Sequence, residues 1–277
     1  MLDRTLSRVF ENVILRKSRR HSKSLGPVAS FLLLGDDGIG KRYLSRVLSK
    51  LLYRSGRVEV FDCERITPES LIGIKGRPGD LLEMVRQEPF QMLIFERIEK
   101  ASAALVGVLL RLLSTGQLTQ PGTDSAVSFQ HATIVFTTYS SELIANLDEA
   151  TLGRSMWQQR VGEYLRDERQ LDSGLLSAID EVLLCDPPSD EVKAEVISLL
   201  LRKECSNHGI ELSHVDPIIL GTQVLQLDDA TGFAHAPSRI KKLLSRPLVA
   251  AAADEHDSLS LRVAPDTLRT KLTNAMR

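Results

Sequence analysis

The stretch GDDGIGKR, from Gly35 to Arg42, carries the residues with the clearest capacity for chemistry. Its GxxxxGK spacing lets successive backbone N–H groups converge on phosphate oxygens, because glycine takes backbone conformations closed to other residues, while Lys41 supplies positive charge. Gly35, Asp36, Asp37, Gly38, Ile39, Gly40, Lys41 and Arg42 are therefore the candidate nucleotide-binding set. The position after the lysine of such a loop carries a Ser or Thr whose hydroxyl ligates Mg²⁺. Here it is Arg42, which has donors only and cannot bind a cation, although its planar fork suits a phosphate. Asp36 and Asp37 bring negative charge to the mouth of the loop and oppose the anion unless Arg42 offsets them.

Such a loop must be held between a strand and a helix, and the flanks meet that demand. SFLLLG from Ser30 reads as an apolar strand, and GKRYLSRVLSKLLYRS places Leu44, Val47, Leu48, Leu51 and Leu52 at helical spacing. Further strands are expected at VEVFDC from Val58, FQMLIFE from Phe90, ATIVFTT from Ala132 and IDEVLLC from Ile179. Helical stretches separate them, among them LVGVLLRLLSTG from Leu105, which ends on Gly116 as a helix should. That alternation predicts an α/β fold with a mostly parallel sheet. QPGTDSAVSF after Gln120 reads as a turn-rich loop, and CDPPSDEV from Cys185 as the hinge between two domains. Beyond the hinge, Ser189 is the expected N-cap of the helix SDEVKAEVISLLLRKE, and SLSLRV from Ser258 a late strand.

With 277 residues, 43% hydrophobic and 26% charged, the chain can bury one large domain and a smaller companion. A formal net charge of -1 gives no global drive toward nucleic acid or membrane. No apolar run reaches the roughly 20 residues of a spanning helix, and the charged start lacks the features of a secretory signal, so a soluble, cytoplasmic protein is expected. Cys63, Cys185 and Cys205 form no CxxC pair and fit a reducing compartment. The basic run RKSRRHSK, Arg16 to Lys23, has no interleaved aromatics, and a solvated helix end is expected there rather than a nucleic-acid surface. The histidines show no metal-ligand spacing, and Asp180 and Glu181 sit side by side on a predicted strand, facing opposite sides. Trp157 and Tyr164 are expected to pack against the second domain.

The blocks GPVASFLLLGDDGIGK, FQMLIFERIEKA, LLSTGQLTQPGTDSAVSFQHATIVFTT, AIDEVLL and SRIKKLLSRPLVAA together resemble, in order and spacing, the Clp/ClpB group of AAA+ unfoldases. The likeness is to the second ATPase module with its small C-terminal domain. It implies a P-loop AAA+ αβα three-layer large domain with a five-stranded sheet over residues 1–186 and a small, mainly α-helical lid over 187–277. It also implies binding of ATP or ADP and association with a protein partner, such as AAA+ subunits in a ring.

The machinery of that family is largely missing from the matching positions. Arg42 stands where the family carries its Mg²⁺-ligating hydroxyl, and Glu96 where it carries the Asp that holds the metal, so Glu96 is the one candidate ligand for Mg²⁺. Arg97 stands in place of the catalytic Glu, and a guanidinium cannot accept a proton at any working pH. Tyr139 replaces the Asn that senses the terminal phosphate, Ala178 the arginine finger, and Ala234 the sensor arginine of the small domain, a role that a shifted alignment gives to Arg239. The aromatic pore loop is replaced by GIKGRPGDLLEMV from Gly73, which has no aromatic residue. The expected product is a pseudo-ATPase that regulates or scaffolds; the alternative is an active chaperone-type ATPase completed by partner subunits.

Overall fold

Every residue from Ala29 to Leu34 is buried, as expected of a strand covered on both faces. The computed structural model describes residues 26–36, 38–53, 56–139, 152–167, 169–185, 188–227, 232–233, 235–253 and 257–263. Contacts divide the chain into two compact units: residues up to Asp36 with Gly40–Asp186, and Pro187–Arg277 with residues 37–39.

In the first unit β1 (Ala29–Leu34) leads into α1 (Lys41–Leu52) and β2 (Val58–Asp62). There follow α2 (Pro68–Ile72), a hairpin of β3 (Gly73–Ile74) and β4 (Arg77–Pro78), and α3 (Asp80–Gln87). Next come β5 (Met92–Glu96), a 3₁₀ turn at Ile98–Lys100 and α4 (Ala103–Thr115). A second hairpin, β6 (Gln117–Thr119) with β7 (Ala126–Ser128), precedes β8 (Thr133–Thr138), and α5 (Arg154–Asp167) and α6 (Ser173–Ala178) precede β9 (Glu181–Leu184).

Five of these strands form one sheet in the order β2-β5-β8-β1-β9, and all four pairings are parallel. The alternation of side chains along each strand builds two separate cores. Leu32, Leu34, Leu93, Phe95, Ile134 and Phe136 face one side, covered by Leu81, Leu82 and Val85 of α3, Leu105, Leu109 and Leu112 of α4, and Trp157 and Leu165 of α5. Phe31, Leu33, Met92, Ile94 and Val135 face the other side and meet Leu44 and Leu48 of α1. The result is the αβα sandwich with a five-stranded parallel sheet that the strand pattern and the family resemblance imply. Removing one such fully buried leucine side chain is worth about 2–5 kcal/mol.

The register does the positioning. Leu34 pairs with Thr138, and Asp62 pairs with Glu96, so the carboxyl ends of β1, β8, β5 and β2 are level with one another. Residues just past those ends, in four separate parts of the sequence, share one rim of the sheet.

Three local expectations need correction. The turn-rich segment after Gln120 contains β7, because Val127 alternates into the core beside Leu118 of β6. Trp157 is buried in the core of the first unit and Tyr164 packs against that same core, since α5 carries its apolar stripe of Trp157, Val161 and Leu165 inward. Asp180 lies ahead of β9 rather than on it.

The second unit has its own core, in which Ile197, Leu201 and Cys205 of α7 (Asp190–Asn207) meet Ile240, Leu244 and Leu248 of α9 (Ala236–Ala253). Ser189 caps α7, its side chain accepting from the Val192 N–H. Between these helices lie β10 (Glu211–Val215) and α8 (Pro217–Leu225), and β10 pairs in parallel with β11 (Ser258–Leu261). Among the described residues no helix is long and apolar enough to cross a membrane. The basic run Arg16–Lys23, Asp37 and Ala234 lie outside the described residues.

Candidate phosphate-binding site

The loop from Gly35 to Gly40 joins the end of β1 to the start of α1. Gly38 and Gly40 have φ of 77° and 99°, a region that side-chain-bearing residues avoid. A Cβ on Gly40 would meet nothing within 4 Å, so glycine is needed there for its backbone angles and not for space. No acidic side chain stands in the first turn of α1, which leaves the positive end of the helix uncancelled by its own residues. These features suit a bound anion. Lys41, however, turns its ammonium onto the loop itself: Nζ donates to the carbonyl oxygens of Gly35 and of Asp36, the latter at 3.0 Å, and lies 5.6 Å from the centre of the Tyr139 ring.

One residue further on, Arg42 donates through Nε and Nη2 to the two carboxylate oxygens of Glu96 at the end of β5. The two residues expected at the metal position thus hold each other as a bidentate ion pair. Glu96 is 15% exposed and Arg42 61%. A divalent cation ligated by Glu96 would have to stand beside a guanidinium that already holds both its oxygens, against the repulsion of like charges, and the neighbouring hydroxyl that would help is absent. Among the described residues no group of three His, Cys, Asp or Glu side chains could hold a metal ion. The residues present do not fit Mg²⁺.

Arg97, next in the chain, has left-handed backbone angles (φ 55°, ψ 52°). Its Nη2 donates to Asp62 at the end of β2 and its Nη1 to Glu64. The Asp62 bond, the closeness of that carboxylate and the charge of Glu64 push the Arg97 guanidinium still higher, so it stays protonated and accepts no proton from water. Cys63, beside this cluster, is no substitute nucleophile: burial, followed by the carboxylates of Asp62, Glu99 and Glu96, pushes its thiol up to about 12.

At the end of β8, Thr138 donates its hydroxyl to Glu99 at 2.7 Å, and Tyr139 follows. The Tyr139 ring has two cations within cation–π distance, Lys41 and the Arg169 guanidinium at 5.9 Å. Arg169 is itself fixed by a 2.7 Å bond from Nε to the Tyr164 hydroxyl. Ala178 ends α6 half-buried against the core of the first unit, with no charged side chain to extend from that position. Arg239, in the second unit, donates through Nη1 to the carbonyl of Gln226 at the end of α8. The segment from Gly73 forms the β3–β4 hairpin, and the Lys75 side chain at its tip lies so close to Gly122 that a Cβ there would come within 2.8 Å.

The structure therefore gathers Gly35, Lys41, Arg42, Glu96, Arg97 and Tyr139 on one rim, as their sequence positions imply. Sequence reading alone did not mark Asp62, Glu64, Arg169 and Tyr164 as the partners that engage them. The available signal was the excess of arginine at positions 42 and 97, which demands carboxylates nearby, and Asp62 lies at the matching end of the neighbouring strand.

Over residues 26–168, just over half its length, the sequence matches the family described as AAA domain (Cdc48 subfamily). It is 24% identical to the probable chaperone protein ClpB 1 of Chlorobaculum tepidum, over 88% of this chain and 61% of that protein. Identity to the chaperone protein ClpB of Agrobacterium fabrum is 28% over 64% of this chain and 21% of the relative. For the ClpB of Rhodopirellula baltica it is 27%, over 81% and 27% respectively. The chain thus spans between 21% and 61% of the length of these relatives.

Proposed function

This chain belongs to the AAA domain family (Cdc48 subfamily) and has ClpB chaperones among its relatives; from that premise we propose that it is a nucleotide-holding module that hydrolyses poorly or not at all. In this reading residues 1–186 form the P-loop domain and 187–277 the lid. Gly35, Asp36, Asp37, Gly38, Ile39, Gly40, Lys41 and Arg42 surround the phosphates of ATP or ADP. The module then acts as a regulatory or scaffolding subunit, alongside another protein such as an AAA+ subunit of a ring.

The observation that carries the reading is the Arg42–Glu96 fork. Hydrolysis in P-loop enzymes leans on a metal that bridges the phosphates and on a group that orients the attacking water. Here the fork closes the metal position, and Arg97, committed to Asp62 and Glu64, offers no lone pair to a water. A barrier raised by both losses is large, although effects at one transition state do not simply multiply.

Phosphate release from ATP with Mg²⁺ tests this. The expected rate of the purified chain equals that of its Lys41→Ala variant, and the same holds after mixing with a ClpB-type ATPase once the partner's own rate is subtracted. Mg²⁺-dependent release that Lys41→Ala abolishes, alone or in the mixture, would overturn the proposal.

A further inference from the structure

We infer that the site takes a nucleoside diphosphate without a divalent cation, in preference to a triphosphate. This deepens the reading of the loop as nucleotide-binding and rests on it. Two separate features of the rim support it.

The first is charge. In a metal-assisted site, Mg²⁺ beside one carboxylate leaves a net positive charge to balance the phosphates. Arg42 beside Glu96 leaves none, because one guanidinium and one carboxylate cancel. Lys41 is then the main cation over the loop, and Asp36 adds a negative charge of its own. With fewer cations, the site favours the ligand carrying fewer phosphates. Added Mg²⁺ would have to share Glu96 with a guanidinium that already engages both its oxygens, and the two cations repel.

The second is the Tyr139 ring. In P-loops the lysine reaches the β- and γ-phosphates. An ammonium has three donors. Two of those on Lys41 are directed at the carbonyls of Gly35 and Asp36, and the aromatic face lies within cation–π distance of the same nitrogen. A third phosphate must compete with that ring for Lys41. The ring does not yield easily, since Arg169 faces it too and is itself tied to Tyr164. The left-handed angles of Gly38 and Gly40, by contrast, do not depend on where Lys41 points, and backbone amides at a helix N-terminus bind phosphate without a side chain.

The test is calorimetry on the full chain with ADP and with ATP, each in Mg²⁺ and in chelator. ADP is expected to bind about tenfold or more tightly than ATP, with a Kd that Mg²⁺ leaves within about threefold. In Tyr139→Asn the preference for ADP should narrow, and in Arg42→Thr the ADP Kd should become Mg²⁺-dependent. Circular dichroism checks that each variant folds; if one does not, the four wild-type titrations still decide. Equal affinity for the two nucleotides, or ADP binding strengthened tenfold by Mg²⁺, would overturn this inference and leave the nucleotide-holding reading intact. No binding of either nucleotide in either condition would overturn both.

Discussion

Arg97 donates through Nη2 to Oδ2 of Asp62, the residue paired with its own predecessor Glu96 across the β2–β5 ladder. Burial alone would raise the Asp62 carboxyl, but the Arg97 bond, the backbone N–H of Glu64 and the charges of Arg97 and Arg65 outweigh it and hold the group below its usual 3.8. A carboxyl depressed in the folded state contributes stability above its unfolded pKa, and that contribution is lost as the pH falls through the folded value. Arg97→Ala should therefore start less stable near pH 6 and lose less urea resistance than the wild type does on descending to about pH 2, because the Asp62 contribution is no longer there to be lost. Coincident acid limbs for the two proteins would refute the assignment.

The Arg42–Glu96 fork carries the proposed function yet should matter little to folding. Arg42 is 61% exposed, and solvent screens such pairs. A double-mutant cycle of Arg42→Ala and Glu96→Ala, read by urea unfolding, should give a coupling of no more than about 1 kcal/mol. A coupling several times larger would mean that the pair holds the rim together rather than only filling the metal position.

The edge strand β9 is fastened ahead of its first residue. Asp180 Oδ2 accepts from both the N–H and the hydroxyl of Ser30 at 2.8 Å, and the Asp180 N–H donates back to the Ser30 hydroxyl at 3.0 Å. Ser30 is 2% exposed, so water does not replace these bonds. Asp180→Ala is expected to cost about 1–3 kcal/mol, the penalty for an unsatisfied buried donor. An unchanged melting curve would contradict it.

Where β3 meets α3, the backbones of Gly73 and Gly79 touch. A Cβ on Gly79 would stand 2.3 Å from the Leu71 carbonyl oxygen and 2.4 Å from the Gly73 nitrogen, whereas one on Gly76 at the tip would meet nothing within 4 Å. Gly79→Ala should thus cost about 2–3 kcal/mol. Gly76→Ala should cost only the roughly 1–2 kcal/mol of its left-handed angles. The reverse order in thermal unfolding would rule out this packing.

Period and punctuation made the large sheet legible: five apolar runs, each followed by a helical pattern, lead to parallel pairing, and the glycine loop after Leu34 falls at the rim of that sheet. The hairpins stayed hidden because strands of two or three residues, such as Arg77–Pro78 and Ala126–Ser128, are too short to display alternation. Trp157 was legible as buried but not as to which core it joins, since an amphipathic stripe gives a direction and no address. At the rim, the residue types of Arg42 and Arg97 show that neither position carries a hydroxyl or a carboxylate. Their partners depend on register, and Asp62 becomes a neighbour of Arg97 only once β2 is aligned beside β5.

Lys41 is bonded to the carbonyls of its own loop and lies within cation–π reach of Tyr139, so it already has partners before any ligand arrives. Whatever the ammonium gives to a phosphate it must first withdraw from those partners, so each such contact is an exchange, and its net worth is the difference between two sets of bonds rather than the whole of one.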